Sequence, residues 1–131
     1  MHAPDSYDYA VVRVVPRVER GEFINAGVIL SCESKRFLEA RFEFDESRLR
    51  ALDPTVDVDA VRRHLQAIAR ICAGGHNAGP IGALPRRSRF HWLTAKRSSI
   101  IQTAPVHMGR CTDPAGALEH LLDRMVRVTA R

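Results

Sequence analysis

The segment from Ala10 to Val15 constrains the fold more than any other stretch of this chain. It reads AVVRVV and is β-branched and almost wholly apolar. A strand with one face in water alternates apolar and polar residues, so this run predicts a strand whose two faces are both covered. Pro16 cannot donate to a ladder, and the polar RVERGE sequence that follows predicts a charged turn around Gly21 before the chain returns as a second strand. These features indicate a β-hairpin at the centre of a sheet.

Three further patterns predict the rest of an α+β fold. Alternation of apolar and charged residues over 36–44 predicts a third strand with one wet face. Apolar residues at intervals of three and four predict an amphipathic helix over 57–73 that ends at Gly74. The Asp113-Pro114 step predicts the start of a second long helix. The expected fold is an antiparallel sheet of about four strands, at 7–15, 26–32, 36–44 and 99–103, packed against two main helices, at 57–73 and 114–129.

The segments between these elements carry weaker patterns. Residues 46–52 are predicted to form a short helix capped by Asp45. The passage GGHNAGPIGALPRRSR, residues 74–89, is rich in Gly, Pro and small residues and predicts a long loop that packs against the body. Residues 1–6 are predicted to form a short polar arm. With 131 residues, the chain suits a single domain with one hydrophobic core.

Composition restricts the classes of function. The formal net charge is +5, and only Lys35 and Lys96 among the 20 basic residues are lysines. Because Arg binds carboxylates and phosphates through two parallel hydrogen bonds, this composition favours an anionic partner, although a GC-rich genome produces the same bias. An odd number of cysteines and a polar rather than apolar N-terminus predict a reducing, cytoplasmic location. No apolar run approaches the roughly 20 residues of a membrane span, so no membrane association is expected.

The candidate ligand site lies between Lys96 and His107. Two cations and two hydroxyls precede a predicted strand there, and such a group can surround a phosphate. Arg13 also interrupts the apolar first strand, where its guanidinium must reach solvent or find an acceptor. A carboxylate-paired Arg on that strand and a solvated turn at residues 96–99 are the competing interpretations. The candidate anion-binding residues are Arg13, Arg97, Ser98, Ser99 and His107.

Two details of this site can be compared with a structure. Alternation along the predicted strand would place Arg97 and Ser99 on one face. As a general base, His107 would need an orienting carboxylate, for which Glu22 and Asp113 are the candidates. The spacing of these residues does not enforce either contact, so the catalytic residues stay unassigned.

Motifs for metal binding and nucleophilic catalysis are weak. Cys72-x3-His76 and His107-x3-Cys111 contain the residue types of a tetrahedral zinc site. Neither pair has zinc-finger order, and Cys72 falls on the apolar stripe of a predicted helix, where a thiol acts as a small hydrophobic residue. There is no GxxxxGK[ST], GxSxG or HExxH sequence. We therefore expect no metal and no cofactor.

Two long passages carry a resemblance to a known family. YAVVRVVPRVERGEFINAGVIL and SRFHWLTAKRSSIIQTAPVHMGRC resemble the DUF3037 family of small bacterial proteins, to which no function is assigned. The resemblance covers nearly the whole chain and includes the CAGG-xx-AGPIGALP passage. Lys96 departs from the proline expected in its turn, which leaves the shared geometry of that turn open. Because members are often encoded beside a HipA-like kinase, the resemblance implies such a kinase as a partner, and it carries no catalytic assignment.

Three functions from different classes remain, in the following order. The first is a non-catalytic binding or accessory module whose partner is another protein. The second is a binder of, or an enzyme acting on, a phosphate-bearing molecule through residues 96–107. The third is a nucleic-acid binder in which Phe90 and Trp92 stack on bases, with a place in the core as the competing interpretation for both rings.

Overall fold

A computed structural model describes residues 3–128, which form an antiparallel sheet covered by helices. The predicted α+β fold is confirmed. The strands are β1 (Asp5–Val14), β2 (Ile24–Cys32), β3 (Phe37–Phe42), β4 (Ile101–Thr103) and β5 (His107–Cys111). The helices are α1 (Glu46–Leu52), α2 (Val58–Ala73), α3 (Gly79–Gly82), α4 (Arg86–Leu93) and α5 (Pro114–Met125).

The strand β1 lies at the centre of the sheet. One side of β1 pairs with β2, whose other side pairs with β3. The opposite side of β1 is shared, since β4 pairs with its C-terminal part and β5 with its N-terminal part. The AVVRVV run therefore has backbone neighbours on both sides, and Ala10, Val12 and Val14 are fully buried.

Helices cover both faces of this sheet, as the apolar first strand predicts. On one face, α2 places Val61 and Leu65 against the sheet, and α1 and α4 add Leu49 and Phe90 to the same core. On the other face, α5 packs on β2 through a separate core. The second core consists of Val28, Leu30, Cys32, Leu118, Leu121, Leu122 and Val126. The two long helices therefore lie on opposite sides of the sheet.

The prediction that one face of the third strand is wet holds only in part, since the side chains of Glu39 and Glu43 are 44% and 54% exposed while α5 covers other residues of that face. Phe37 packs against the core beneath α5. Arg41, on the same face, donates from Nη1 to Oε2 of Glu119 on α5 at 2.8 Å. Alternation marks the charged residues of this face, and here one of them also pairs with the covering helix while the others reach water.

A β-bulge in β2 sets the orientation of the residues at one end of β1. Val12 lies opposite Gly27, but Arg13 lies opposite Asn25, so Ala26 is the extra residue. Asn25 donates from Nδ2 to the backbone oxygen of Met125 at 3.0 Å and so satisfies a carbonyl at the end of α5. The bulge thus brings Arg13 and Asn25 together as cross-strand neighbours.

The predicted loop at residues 74–89 is replaced by the short helix α3 and the first residues of α4. The residue that organises this segment is Arg89, which is only 9% exposed. Its Nη1 donates to the backbone oxygens of Ile71 at 2.8 Å and Cys72 at 2.7 Å, and its Nε donates to Leu84 O at 3.0 Å. Gly74 has φ 77°, and a Cβ there would lie 2.9 Å from Nη1 of Arg89. The CAGG-xx-AGPIGALP passage therefore encloses a buried guanidinium that binds the C-terminal carbonyls of α2.

Most predicted boundaries hold, with differences at the ends. Asp45 caps α1 through hydrogen bonds from Ser47 N and Arg48 N, as expected. The polar arm is wrong for residues 5–6, which begin β1, and the predicted helix over 114–129 is too long, because α5 ends at Met125. Residues 1–2 and 129–131 lie outside the described residues. Strand β5 and helix α4 were not anticipated.

The apolar patterns of the sequence predict burial of Val12, Phe42, Leu65, Ile68, Leu118 and Leu122, and this prediction is confirmed in part. Val12, Leu65, Leu118 and Leu122 are buried, whereas Phe42 and Ile68 are only partly buried at the margin of the first core. Within residues 3–128, no helix combines the length and apolar character needed to cross a bilayer.

Candidate anion-binding cleft

A cleft of about 830 Å³ lies along the β4 edge of the sheet, and we call it the cationic cleft. Two separate segments of the chain, β1 and the turn after α4, bring basic side chains to it, and no Asp or Glu is among its lining residues. The lining residues are Arg13, Val18, Lys96, Arg97, Ser98, Gln102, Thr103, Ala104 and Pro105. The cleft therefore concentrates positive charge without an internal counter-ion.

Arg13 reaches this cleft from the end of β1 that lies opposite the bulge in β2. Its guanidinium carbon lies 4.1 Å from the centroid of the Phe23 ring, a cation–π contact. Among residues 3–128 it forms no salt bridge, and its buried Nε has no hydrogen-bond partner. The Oδ1 of Asn25, its cross-strand neighbour, is likewise buried and unpartnered. The carboxylate-paired arrangement considered for Arg13 is therefore not the one found.

Arg97 lines the cleft from the turn after α4. Its guanidinium carbon lies 4.3 Å from the centroid of the Trp92 ring. Nη1 donates to Leu93 O at 3.2 Å and Nη2 donates to Trp92 O at 2.5 Å. These bonds satisfy carbonyls at the C-terminal end of α4, where a positive charge is stabilised by the helix dipole. A guanidinium has five N–H donors, so Arg97 keeps donors for a ligand.

Lys96 and Ser98 complete the part of the lining that comes from this turn. Both side chains are exposed, and Lys96 forms no salt bridge within residues 3–128. An ammonium and a hydroxyl beside two guanidinium groups supply the donor types that surround phosphate oxygens in proteins.

Ser99 does not line the cleft. Its hydroxyl donates to Ile101 O at 2.6 Å, and Gln102 donates back from Nε2 to Ser99 O at 2.9 Å. The strand β4 begins only at Ile101. The alternation that would place Arg97 and Ser99 on one strand face is therefore wrong, because residues 96–100 form an irregular turn.

His107 also lies outside the cleft. It is the first residue of β5 and pairs with Tyr9 of β1, and the two rings are 5.8 Å apart between centroids. Glu22, one of the two carboxylates considered for orienting it, accepts instead from Arg20 at 2.6 Å. The candidate residues that converge are therefore Arg13, Arg97 and Ser98.

The cysteines and histidines are dispersed. In the described part of the chain, no group of three or more His, Cys, Asp or Glu side chains is arranged to hold a metal ion. Burial raises the pKa of the Cys72 thiol to about 12, so this thiol stays protonated and acts as a core residue.

Sequence reasoning missed Phe23, and it included Gln102 and Thr103 in the 96–107 segment without singling them out. The last two line the cleft beside Arg13, and Gln102 is its register partner across β1 and β4. Phe23 is 42% exposed and supports the Arg13 guanidinium. An exposed aromatic residue in a charged turn was the one available signal for Phe23, whereas the role of Gln102 depends on strand pairing.

Comparison with known proteins finds one family whose model covers nearly the whole chain. The family described as "Protein of unknown function (DUF3037)" has a model that matches residues 9–126. No curated protein and no solved structure matches the chain. The match extends from β1 to the end of α5 and includes both the cationic cleft and the glycine-rich passage around Arg89. The chain belongs to the DUF3037 family.

Proposed function

We propose that this protein is a non-catalytic binding module and that its cationic cleft holds the phosphate or another anionic group of its ligand. The observation that carries the proposal is the convergence of Arg13, Lys96 and Arg97 on one cleft whose lining contains no carboxylate. Several other arginines of the described chain lie in ion pairs, as Arg41 does with Glu119 and Arg87 with Asp8. Unpaired cations in a concave site are the groups that a ligand anion would neutralise.

The hydrogen-bonding capacity of the cleft supports an oxyanion as the ligand. The Nε of Arg13 is a buried donor without an acceptor, and leaving such a group unsatisfied costs about 1–3 kcal/mol. A ligand oxygen in the cleft would instead accept from the terminal nitrogens of Arg13, because the Nε itself is closed to solvent. The free donors of Arg97 and the Ser98 hydroxyl add charge-assisted or polar contacts on the opposite side of the cleft.

Binding is favoured over catalysis because the candidate base and hydroxyl for a catalysed reaction lie outside the cleft. A general base must come within about 3 Å of the proton that it removes. His107, the candidate base, stacks near Tyr9 on β5 and is not among the cleft residues. The hydroxyl of Ser99 is engaged with Ile101 O. The cleft residues can hold an anion, and the groups considered for catalysis lie apart from it.

Calorimetric titration of inorganic phosphate and pyrophosphate at two salt concentrations tests this proposal. Lys96→Ala removes a cation that makes no intramolecular ion pair, so its effect on the fold is small, and we expect about a five- to ten-fold loss of affinity. Arg63→Ala, on the exposed side of α2, is the matched control and should bind as the wild type does. Equal affinity of wild type and Lys96→Ala, or no heat from either anion, would contradict the proposal.

A protein partner is the second candidate, and the outer edge of β5 favours it. Within residues 3–128 that edge pairs with no other strand. Met108 and Val106 beside it are 70% and 44% exposed. An open edge with apolar side chains is the surface on which a partner adds a strand. The family resemblance supports a HipA-like kinase as this partner.

Co-expression with an adjacent HipA-like kinase gene, followed by affinity purification, tests the second candidate. Met108→Glu places a charge on the open edge without touching either core, and we expect it to reduce recovery of the complex. Lys96→Ala is the control, since it lies in the cationic cleft. If the wild type recovers no kinase, or if Met108→Glu recovers as much as the wild type, the kinase does not bind through this edge.

We place this function in the cytoplasm. The support is the three free cysteines, of which Cys32 and Cys72 are buried thiols. Detection of the protein in the soluble cytoplasmic fraction of its host would test this location, and recovery in a secreted fraction would contradict it.

A further inference from the structure

Two exposed aromatic rings are each stacked on one arginine of the cationic cleft, although neither ring is itself among the lining residues of the cleft. Phe23 lies under Arg13, and Trp92 lies under Arg97, with guanidinium carbons 4.1 Å and 4.3 Å from the ring centroids. The two rings are 42% and 40% exposed. Each ring therefore keeps a large part of its surface open to solvent while a cleft arginine covers one side of it.

The combination matches the chemistry of a nucleotide. Cations contact the phosphate, and aromatic rings stack on the base irrespective of its identity. The cleft also presents the Ser98 hydroxyl and the amide oxygen of Gln102, which can hydrogen-bond to a sugar or a base edge. Phe90, which the sequence offers as a second stacking residue beside Trp92, is 1% exposed and cannot take this role.

We infer that the ligand of the cationic cleft is a nucleotide unit, with its phosphate between Arg13 and Arg97 and its base stacked on the exposed part of the Trp92 ring. This inference rests on the proposed function, since it names the ligand class of the same site. A free nucleotide and a single strand of nucleic acid both supply this unit, and they share the phosphate and the base. A phosphorylated protein supplies the phosphate without the base.

Trp92 is the only tryptophan in the chain, so its fluorescence reports on this one place. The experiment titrates inorganic phosphate, ribose 5-phosphate, AMP and a dT oligonucleotide into the wild-type protein. We expect AMP and the oligonucleotide to quench Trp92 and to bind about ten-fold or more tighter than the two probes without a base. Tighter binding of the oligonucleotide than of AMP, with a steep loss at high salt, identifies a strand as the source, and the reverse order identifies a free nucleotide.

Two variants of Trp92, followed by calorimetry, separate stacking from structure. Trp92→Leu should remove the advantage of AMP over inorganic phosphate, whereas Trp92→Phe should keep most of it because a ring remains. Circular dichroism shows whether each variant is folded. If AMP binds the wild type no tighter than phosphate, the nucleotide inference is wrong while anion binding stands. If none of the four probes binds, both the inference and the proposed function fail.

Discussion

The guanidinium of Arg97 covers the ring of Trp92 at 4.3 Å and donates to the backbone oxygen of the same residue at 2.5 Å. One side chain therefore ends the helix α4 and lines the cationic cleft. A residue that serves the fold and the site at once gives a mutant phenotype in both, and the two effects must be measured separately. This coupling determines how the cleft variants should be chosen.

Arg97→Ala should lower the free energy of unfolding by about 1–2 kcal/mol, because two carbonyls at the end of α4 lose their charged donor. Arg97→Lys should recover part of this loss, since it restores the charge without the planar fork. Urea denaturation followed by circular dichroism measures both changes. An unchanged midpoint in Arg97→Ala would mean that the hydrogen bonds to Trp92 and Leu93 contribute nothing in solution.

Arg89→Met should cost more stability than Arg97→Ala and lower the free energy of unfolding by about 2–4 kcal/mol. It keeps much of the side-chain volume but leaves the backbone oxygens of Ile71, Cys72 and Leu84 without their donor. Thermal unfolding of Arg89→Met is compared with that of Arg63→Met on the exposed surface of α2, for which the expected change is within about 0.5 kcal/mol. Similar melting temperatures for the two variants would show that the glycine-rich passage does not depend on Arg89.

Gly27→Ala tests the close packing of β2 against β3. A Cβ at position 27 would overlap the Phe42 ring and the backbone oxygen of Arg41, and the backbone cannot move without breaking the ladder. We expect Gly27→Ala to lower the free energy of unfolding by about 2–3 kcal/mol. Gly21→Ala meets no atom within 4 Å, but it forces a side chain onto a residue with φ 69°, at a cost of about 1 kcal/mol. The reverse order of the two denaturation midpoints would contradict the strand packing described above.

Glu119 should make the stability of the fold sensitive to acid. Hydrogen bonds from Arg127 and then from Arg41 hold the pKa of this carboxyl below its usual value. Because the folded pKa is lower than the unfolded one, the stabilisation is complete above the unfolded pKa and is lost as the pH falls through the folded pKa. Glu119→Gln should flatten the fall in melting temperature between about pH 5 and pH 3. Parallel pH profiles for wild type and variant would show that the pairing with Arg41 and Arg127 does not contribute.

The sequence predicted the elements whose patterns repeat. The apolar run around Val12 indicated a central strand, and the stripe through Val61 and Leu65 indicated a helix against the sheet. Both are confirmed because burial imposes the periodicity directly. The helix α4 has no such stripe, because Arg89 occupies one of its buried positions. Its guanidinium is hydrogen-bonded to carbonyls of α2, and composition does not reveal a contact between residues so far apart in sequence.

The cleft was predicted only in part, for a similar reason. Arg13 stood out as a cation in an apolar strand, and residues 96–98 as a basic turn, but their convergence depends on the pairing of β1 with β4. Ser99 and His107 were placed in the site because of their closeness in sequence. The irregular turn before Ile101 and the separate strand β5 carry them elsewhere, and local sequence does not specify either feature.

The most direct test of the account is the response of the arginine side chains to an anion. In a ¹⁵N-labelled sample, the Nε–Hε signals of Arg13 and Arg97 should shift together during a phosphate titration and yield one dissociation constant. Each signal reports the anion through the terminal nitrogens of the same guanidinium, since the Nε of Arg13 is itself buried. The signal of Arg63 should stay in place. Shifts of Arg63 equal to those of Arg13 and Arg97, or no shift of either cleft arginine, would contradict an anion-binding cleft.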